Sequence, residues 1–205
     1  MNLTRRYNLK LMALAPITGA LPAWMASAEA VAHAVQFRGN YFPNVELTTH
    51  ENRKVRFYDD LLKDRIVVIN FMYTGCGDVC PLVTANLVKV QKLLGDRVGR
   101  DIFMYSVTLQ PQFDTPQVLA RYAELYGVGP GWWFLTGAPA DVNLVRSKLG
   151  RYADPVVDED ITQHSGMIRF GNERYERWGS CSGGTSPEWI ATSIRWMDGP
   201  ATGSS

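Results

Sequence analysis

The sequence predicts an α/β fold, a three-layer α/β/α sandwich with an added N-terminal β-hairpin. Arg65-Ile-Val-Val-Ile-Asn-Phe-Met72 is a nearly continuous β-branched and apolar run, as a strand covered on both faces requires. Val83, Leu87, Val90 and Leu94 then recur at helical spacing. A second buried strand and a second helix follow, so β and α alternate in the manner of a parallel βαβ unit.

The elements follow in order. Asn44–Thr48 and Lys54–Phe57 alternate around the polar tetrapeptide His50-Glu-Asn-Arg53 and read as the hairpin. Arg65–Met72 is expected to be the central strand. The helix after it has Pro81 in its first turn, where the missing N–H has no intrahelical partner to lose. Ile102–Val107 is the next strand, and Thr115-Pro116 opens a helix through about Tyr126. Trp132–Leu135 reads as a short strand, Ala138–Leu149 as a helix, and Asp154–Asp160 as an acidic surface loop. Ser165–Phe170 and Arg174–Trp178 form a hairpin across Gly171-Asn172, and Pro187–Met197 closes the chain as a helix with Ser186 as N-cap. A βαβ unit followed by a hairpin and a closing helix is the thioredoxin-like ground plan.

With 205 residues and 46% hydrophobic content, one domain with a real core is expected. The 21 lysines and arginines against 20 acidic residues create no field for a polyanion, so no nucleic-acid partner is expected. A basic start, an apolar stretch from Leu11 to about Met25 and the small residues Ala26-Ser27-Ala28 form an export signal. Thr4-Arg5-Arg6-Tyr7-Asn8-Leu9-Lys10 follows the twin-arginine pattern, which assigns residues 1–28 to a cleaved signal and the mature chain to the periplasm. An uncleaved anchor is disfavoured, because the apolar stretch is short and carries Pro16, Gly19 and Pro22. Residues 29–43 are expected to be a flexible lead-in, 44–198 the domain and 199–205 a disordered tail. The mature surface is mildly acidic, since the signal removes Arg5, Arg6 and Lys10 and no carboxylate.

Cys76 and Cys80 stand where strand becomes helix, in Tyr73-Thr-Gly-Cys-Gly-Asp-Val-Cys80-Pro81. A helix N-terminus stabilises a thiolate, which attacks disulfides or binds soft metals. Three intervening residues, rather than the two favoured by disulfide reductases of this fold, separate these uses only partly, and Gly77 leaves room for both sulfurs to turn towards one external point. His164 directly precedes a strand, at the position that faces the cysteine loop in thioredoxin-like domains and there holds a cis-proline. Two thiolates and an imidazole form a three-coordinate soft site suited to Cu(I) and workable for Cu(II), whereas zinc wants a fourth ligand. His33 and His50 lack such placement and read as surface residues. Cys181, in a Gly/Ser-rich segment, reads as an exposed thiol without a role, a fourth ligand, a resolving cysteine or an intermolecular disulfide being the alternatives.

FMYTGCGDVCP, VTLQPQFDTP, WWFLTG and QHSGMIRF, in this order and spacing, resemble the Sco/SenC family from about Phe42 to Met197. The resemblance implies a thioredoxin-like metallochaperone that carries one copper ion on Cys76, Cys80 and His164. It further implies delivery of copper, or of reducing equivalents, to the binuclear centre of cytochrome c oxidase. Cys76 and Cys80 can then also form a redox-active disulfide, which excludes the metal, so a thiol reductant is an expected partner. Gln110 and Gln163 stand where the family commonly has aspartates, which alters the field around the site and the partner of the His164 ring; Asp78 and Asp114 are carboxylates that remain nearby. That change also leaves room for another exported cuproenzyme as acceptor. A monomer is expected. The competing reading is a periplasmic thiol-disulfide oxidoreductase using Cys76 and Cys80. A thiol peroxidase ranks last, because Thr74 lies two rather than three residues before Cys76.

Overall fold

A computed structural model describes residues 41–150 and 166–199. The expected export signal, the lead-in up to residue 40, the acidic loop 154–160, Gln163, His164 and the tail beyond residue 199 lie outside the described residues.

Among the described residues seven strands form one sheet: β1 (Glu46–Thr49), β2 (Lys54–Arg56), β3 (Ile66–Met72), β4 (Ile102–Thr108), β5 (Trp132–Gly137), β6 (Met167–Asn172) and β7 (Arg177–Ser182). Their order is β2-β1-β5-β4-β3-β6-β7. β3, β4 and β5 are parallel, and β1 with β2 is added antiparallel on the β5 edge, as the alternating hairpin pattern requires. β4 occupies the middle of the sheet and β3 lies one place away, flanked by β4 and β6, so the expectation that β3 is central is off by one strand.

Helices cover both faces. Strand residues Val68, Met104 and Phe134 face α1 (Val79–Leu94), α2 (Pro116–Leu125) and α4 (Pro187–Arg195). Val67, Tyr105 and Leu135 face the opposite way, towards α3 (Pro139–Gly150) and a π-helical turn at Phe57–Leu62. The expected helical stripe of α1 is the buried one, and each of Val83, Leu87, Val90 and Leu94 contributes about 1.5–3 kcal/mol of burial. α1 stops where Gly95 takes a φ of 58°, open to glycine at no steric cost. α2 and α4 begin as their sequences indicate, with Thr115 Oγ1 accepting the Val118 N–H at 3.4 Å and Ser186 Oγ accepting the Trp189 N–H at 3.3 Å.

The β6–β7 hairpin departs from expectation. Its turn is the 3₁₀ segment Glu173–Tyr175 followed by Glu176 at φ 51°, while Gly171 and Asn172 belong to β6. Gly171 serves close packing, because a Cβ there would stand 2.4 Å from the Trp178 ring. Glu173 is buried and draws the turn inwards by accepting the Tyr58 O–H at 3.0 Å and the Asp64 N–H at 2.9 Å. β7 runs on to Ser182, into the Gly/Ser-rich segment, and carries Cys181 into the sheet opposite Ile168. Tyr41 and Phe42 stack edge-to-face, and Phe42 packs on Trp178 at 5.1 Å. Inside the sheet, Trp132 Nε1 donates to Ser106 Oγ at 2.9 Å and Ser106 Oγ donates to Asn70 Oδ1 at 2.7 Å, a buried polar chain across β5, β4 and β3.

Candidate functional site

The site is built at the C-terminal ends of β3 and β4. β3 ends at Met72, whose carbonyl accepts the Leu109 N–H at 2.7 Å, so the loops following the two strands start side by side. Tyr73 and Thr74 turn the chain, the Cys76 N–H bonds the Tyr73 carbonyl at 3.2 Å, and α1 starts at Val79.

Cys76 and Cys80 both fall inside the core around α1, with 8% and 2% exposure. The N-cap residue Asp78 makes no side-chain cap. Instead Cys76 Sγ accepts the Cys80 N–H at 3.5 Å, which gives one of the unpaired helix-start donors a sulfur partner. The two thiols are thereby driven apart. Burial pushes the Cys76 thiol up, but hydrogen bonds from the Cys80 and Asp78 N–H groups, helped by the Tyr73 side chain, outweigh it and leave Cys76 below the ordinary thiol range. Burial pushes Cys80 to about 12, only partly opposed by a backbone hydrogen bond at Tyr73 and reinforced by Cys76 and the Asp114 carboxylate. Near neutral pH the site therefore holds one thiolate-prone sulfur beside one protonated sulfur.

Asp114 sits under this loop at 1% exposure. Its carboxylate accepts from the Thr74 N–H at 3.2 Å, from the Thr74 hydroxyl and from the Thr108 hydroxyl, joining the approach to Cys76, the end of β4 and the lead into α2. From the sequence Asp114 reads only as a remaining carboxylate; its signal is an acidic residue directly before the Thr-Pro that opens α2. Asp78 is exposed, and Gln110 bonds through its backbone, donating to Thr108 Oγ1 at 2.9 Å and accepting the Phe113 and Asp114 N–H groups.

The start of β6 packs against the same helix. Gly166 is buried with φ 58°, and a Cβ on it would meet Val79 at 3.1 Å and Val83 at 3.3 Å. Its carbonyl accepts the Gly183 N–H at 2.8 Å, and Asn86 Nδ2 donates to the Gly183 and Thr185 carbonyls at 2.7 Å each. Both glycines are required by close approach, a feature the sequence pattern did not reveal.

The structure thus brings Cys76 and Cys80 together, while His164 and Gln163 lie outside the described residues. Among the described residues no group of three His, Cys, Asp or Glu side chains could hold a metal ion, and no helix is long and apolar enough to cross a membrane. Two expectations are corrected. Cys181 is buried at 8% exposure, because β7 extends further than its pattern suggested, and burial raises its thiol against a hydrogen bond from Thr185. His50 is half-buried rather than superficial: its Nδ1 accepts the Phe134 N–H at 3.1 Å, its ring meets Phe134 edge-on, and burial lowers its basicity.

A relative in Bacillus subtilis (strain 168), named SCO1 protein homolog, is 32% identical over 77 residues, 37% of this chain and 39% of that protein. A putative copper-binding protein of Stutzerimonas stutzeri is 25% identical over 134 residues, 64% of each chain. The chain thus spans less than two thirds of the length of these relatives. The solved structure of Bradyrhizobium japonicum ScoI with copper bound shares the fold at a TM-score of 0.60 and 24% identity, covering 75% of this chain and 96% of that one. The family model described as SCO1/SenC matches residues 34–198. That span holds every strand of the sheet and both thiols at the start of α1, and by it the chain belongs to the SCO1/SenC family.

Proposed function

We propose that this protein is an exported, periplasmic copper metallochaperone of the SCO1/SenC family. It carries one copper ion as cargo on Cys76, Cys80 and His164 and passes it to the binuclear centre of cytochrome c oxidase or to another exported cuproenzyme. The observation that carries the reading is the paired sulfurs of Cys76 and Cys80 at the start of α1, one of them thiolate-prone. The copper-bound state of ScoI and the name of the Stutzerimonas relative support copper as the cargo. Export by the twin-arginine route with cleavage after residue 28, and a monomeric state, belong to the same proposal.

Loading needs both sulfurs reduced. A dithiol partner would attack a Cys76–Cys80 disulfide, release both sulfurs as thiols and itself leave as a disulfide. Copper binding then displaces the proton held on Cys80.

The test is competition of reduced protein against a chromophoric Cu(I) chelator. His164→Ala is expected to weaken binding at least tenfold, and an unchanged affinity would remove His164 from the site. The asymmetry between Cys76 and Cys80 also suits a thiol-disulfide oxidoreductase, with Cys76 attacking and Cys80 resolving. Turnover in an insulin-reduction assay, without Cu(I) binding, would establish that second reading instead.

A further inference from the structure

We infer that Asp114 is a positioning residue for the cysteine pair: its buried carboxylate ties Thr74 down and so fixes which of the two sulfurs is presented for reaction. The copper arm of this inference rests on the metallochaperone reading; the thiol arm does not.

Three donors, two from Thr74 and one from Thr108 at the end of β4, converge on one carboxylate that water scarcely reaches. Oδ1 accepts the Thr74 hydroxyl, Oδ2 accepts the Thr108 hydroxyl, and the Thr74 N–H is shared at 3.4 and 3.2 Å. Charge-assisted bonds of this kind are about twice as strong as neutral ones, and their loss leaves buried donors unsatisfied. Thr74 is two residues from Cys76, and between them lies only Gly75, which is exposed and meets no atom closer than 3.9 Å at its Cβ position. Among the described residues the Thr74 hydroxyl bonds only the Asp114 carboxylate. On the other side, Thr108 Oγ1 also accepts the Gln110 N–H at 2.9 Å, so the β4 end is fastened twice while the Cys76 approach is fastened at Asp114. Asp114 itself is held by its own N–H on the Gln110 carbonyl at 2.9 Å. The carboxylate therefore acts as a fixed post from which the cysteine loop hangs. Loosening it lets the loop lift, which uncovers Cys80 and turns Cys76 Sγ away from the Cys80 N–H.

The experiment uses the full reduced, metal-free chain, alkylated with iodoacetamide at pH 7, with modification at each cysteine followed by peptide mass spectrometry. In the wild type, Cys76 is expected to react more than a hundredfold faster than Cys80. Asp114→Asn and Thr74→Val are each expected to reduce that preference at least tenfold. The double variant should go no further than the larger single effect, because both break the same tether. Thr108→Val is expected to lower the melting temperature but to leave the preference within twofold. Thr74→Val keeps the carboxylate and its charge, so a change in Asp114→Asn alone would mean charge rather than position and would overturn the inference. An equal change in Thr108→Val would mean general loosening and would overturn it too. Should Asp114→Asn fail to fold, Thr74→Val decides by itself. In parallel, Cu(I) competition is expected to show at least tenfold weaker binding for Thr74→Val. If wild type binds no Cu(I) while the thiol preference responds as described, the metallochaperone reading falls and the role of Asp114 stands.

Discussion

Gly183→Ala tests whether the start of β6 is truly pressed against the helix that bears the cysteines. The new Cβ would lie 2.4 and 2.9 Å from the two Val83 methyl carbons and 2.5 Å from the Gly166 carbonyl oxygen, against about 3.5–4.0 Å for carbon atoms at ease. Val83 is β-branched on a helix and cannot swing aside. The loop carrying residue 183 must instead retreat by about 1 Å, which breaks its 2.8 Å hydrogen bond to Gly166 and strains the two bonds from Asn86. Overpacking costs about 1–3 kcal/mol and the lost hydrogen bond about 0.5–1.5 kcal/mol. The sum is a destabilisation of about 1.5–4.5 kcal/mol. Urea denaturation of the reduced chain measures it, and Gly183→Ala/Val83→Ala should recover at least about 1 kcal/mol relative to additivity by opening the space. A loss below about 0.5 kcal/mol for Gly183→Ala would refute the close approach of this loop to Val83 and Gly166.

The separation of the two thiols predicts an alkylation profile for Cys76 with its midpoint below 9.0, while Cys80 stays unreactive until strongly alkaline pH; a pH series of iodoacetamide rates reads both. The same separation has a stability consequence. Because the folded state holds the Cys80 proton, that stabilisation is complete below pH 9.0 and is lost as pH rises towards about 12, so Cys80→Ser should flatten the fall in urea midpoint over this window relative to wild type. Gly77→Ala is expected to leave stability within about 0.5 kcal/mol, since a Cβ there meets nothing within 4 Å, and to leave Cu(I) affinity within twofold. A tenfold loss would show that the loop must leave this conformation to bind metal.

The elements most legible in the sequence were those whose signal is local. The apolar run before Met72, the α1 stripe and the Thr115 and Ser186 caps each follow from spacing that one element sets for itself. The misreadings fall where a distant partner decides. Gly171-Asn172 has turn chemistry, yet the Trp178 ring claims the space beside Gly171 and buried Glu173 draws the true turn three residues on. Cys181 sits in a segment of loop composition that pairing with β6 makes a strand. At the site, the two cysteines were legible from the strand-to-helix junction, but the Asp114 post was not, because its donors come from residues 74 and 108. The π-helical turn Phe57–Leu62 also escaped notice, since its three inward residues are fixed by the core beneath α3 rather than by a helical repeat.

The buried chain from Trp132 through Ser106 to Asn70 determines how far each parallel strand protrudes at the end that bears the chemistry. If β3 slipped by one position against β4, Asn70 would lose Ser106, every inward side chain would point outward, and the turn after Met72 would shift by about 3.3 Å along the strand axis. Thr74 would then miss the carboxylate waiting beyond β4. A polar alignment key, four residues back from the reactive sulfur's approach, thereby sets the height at which that sulfur emerges.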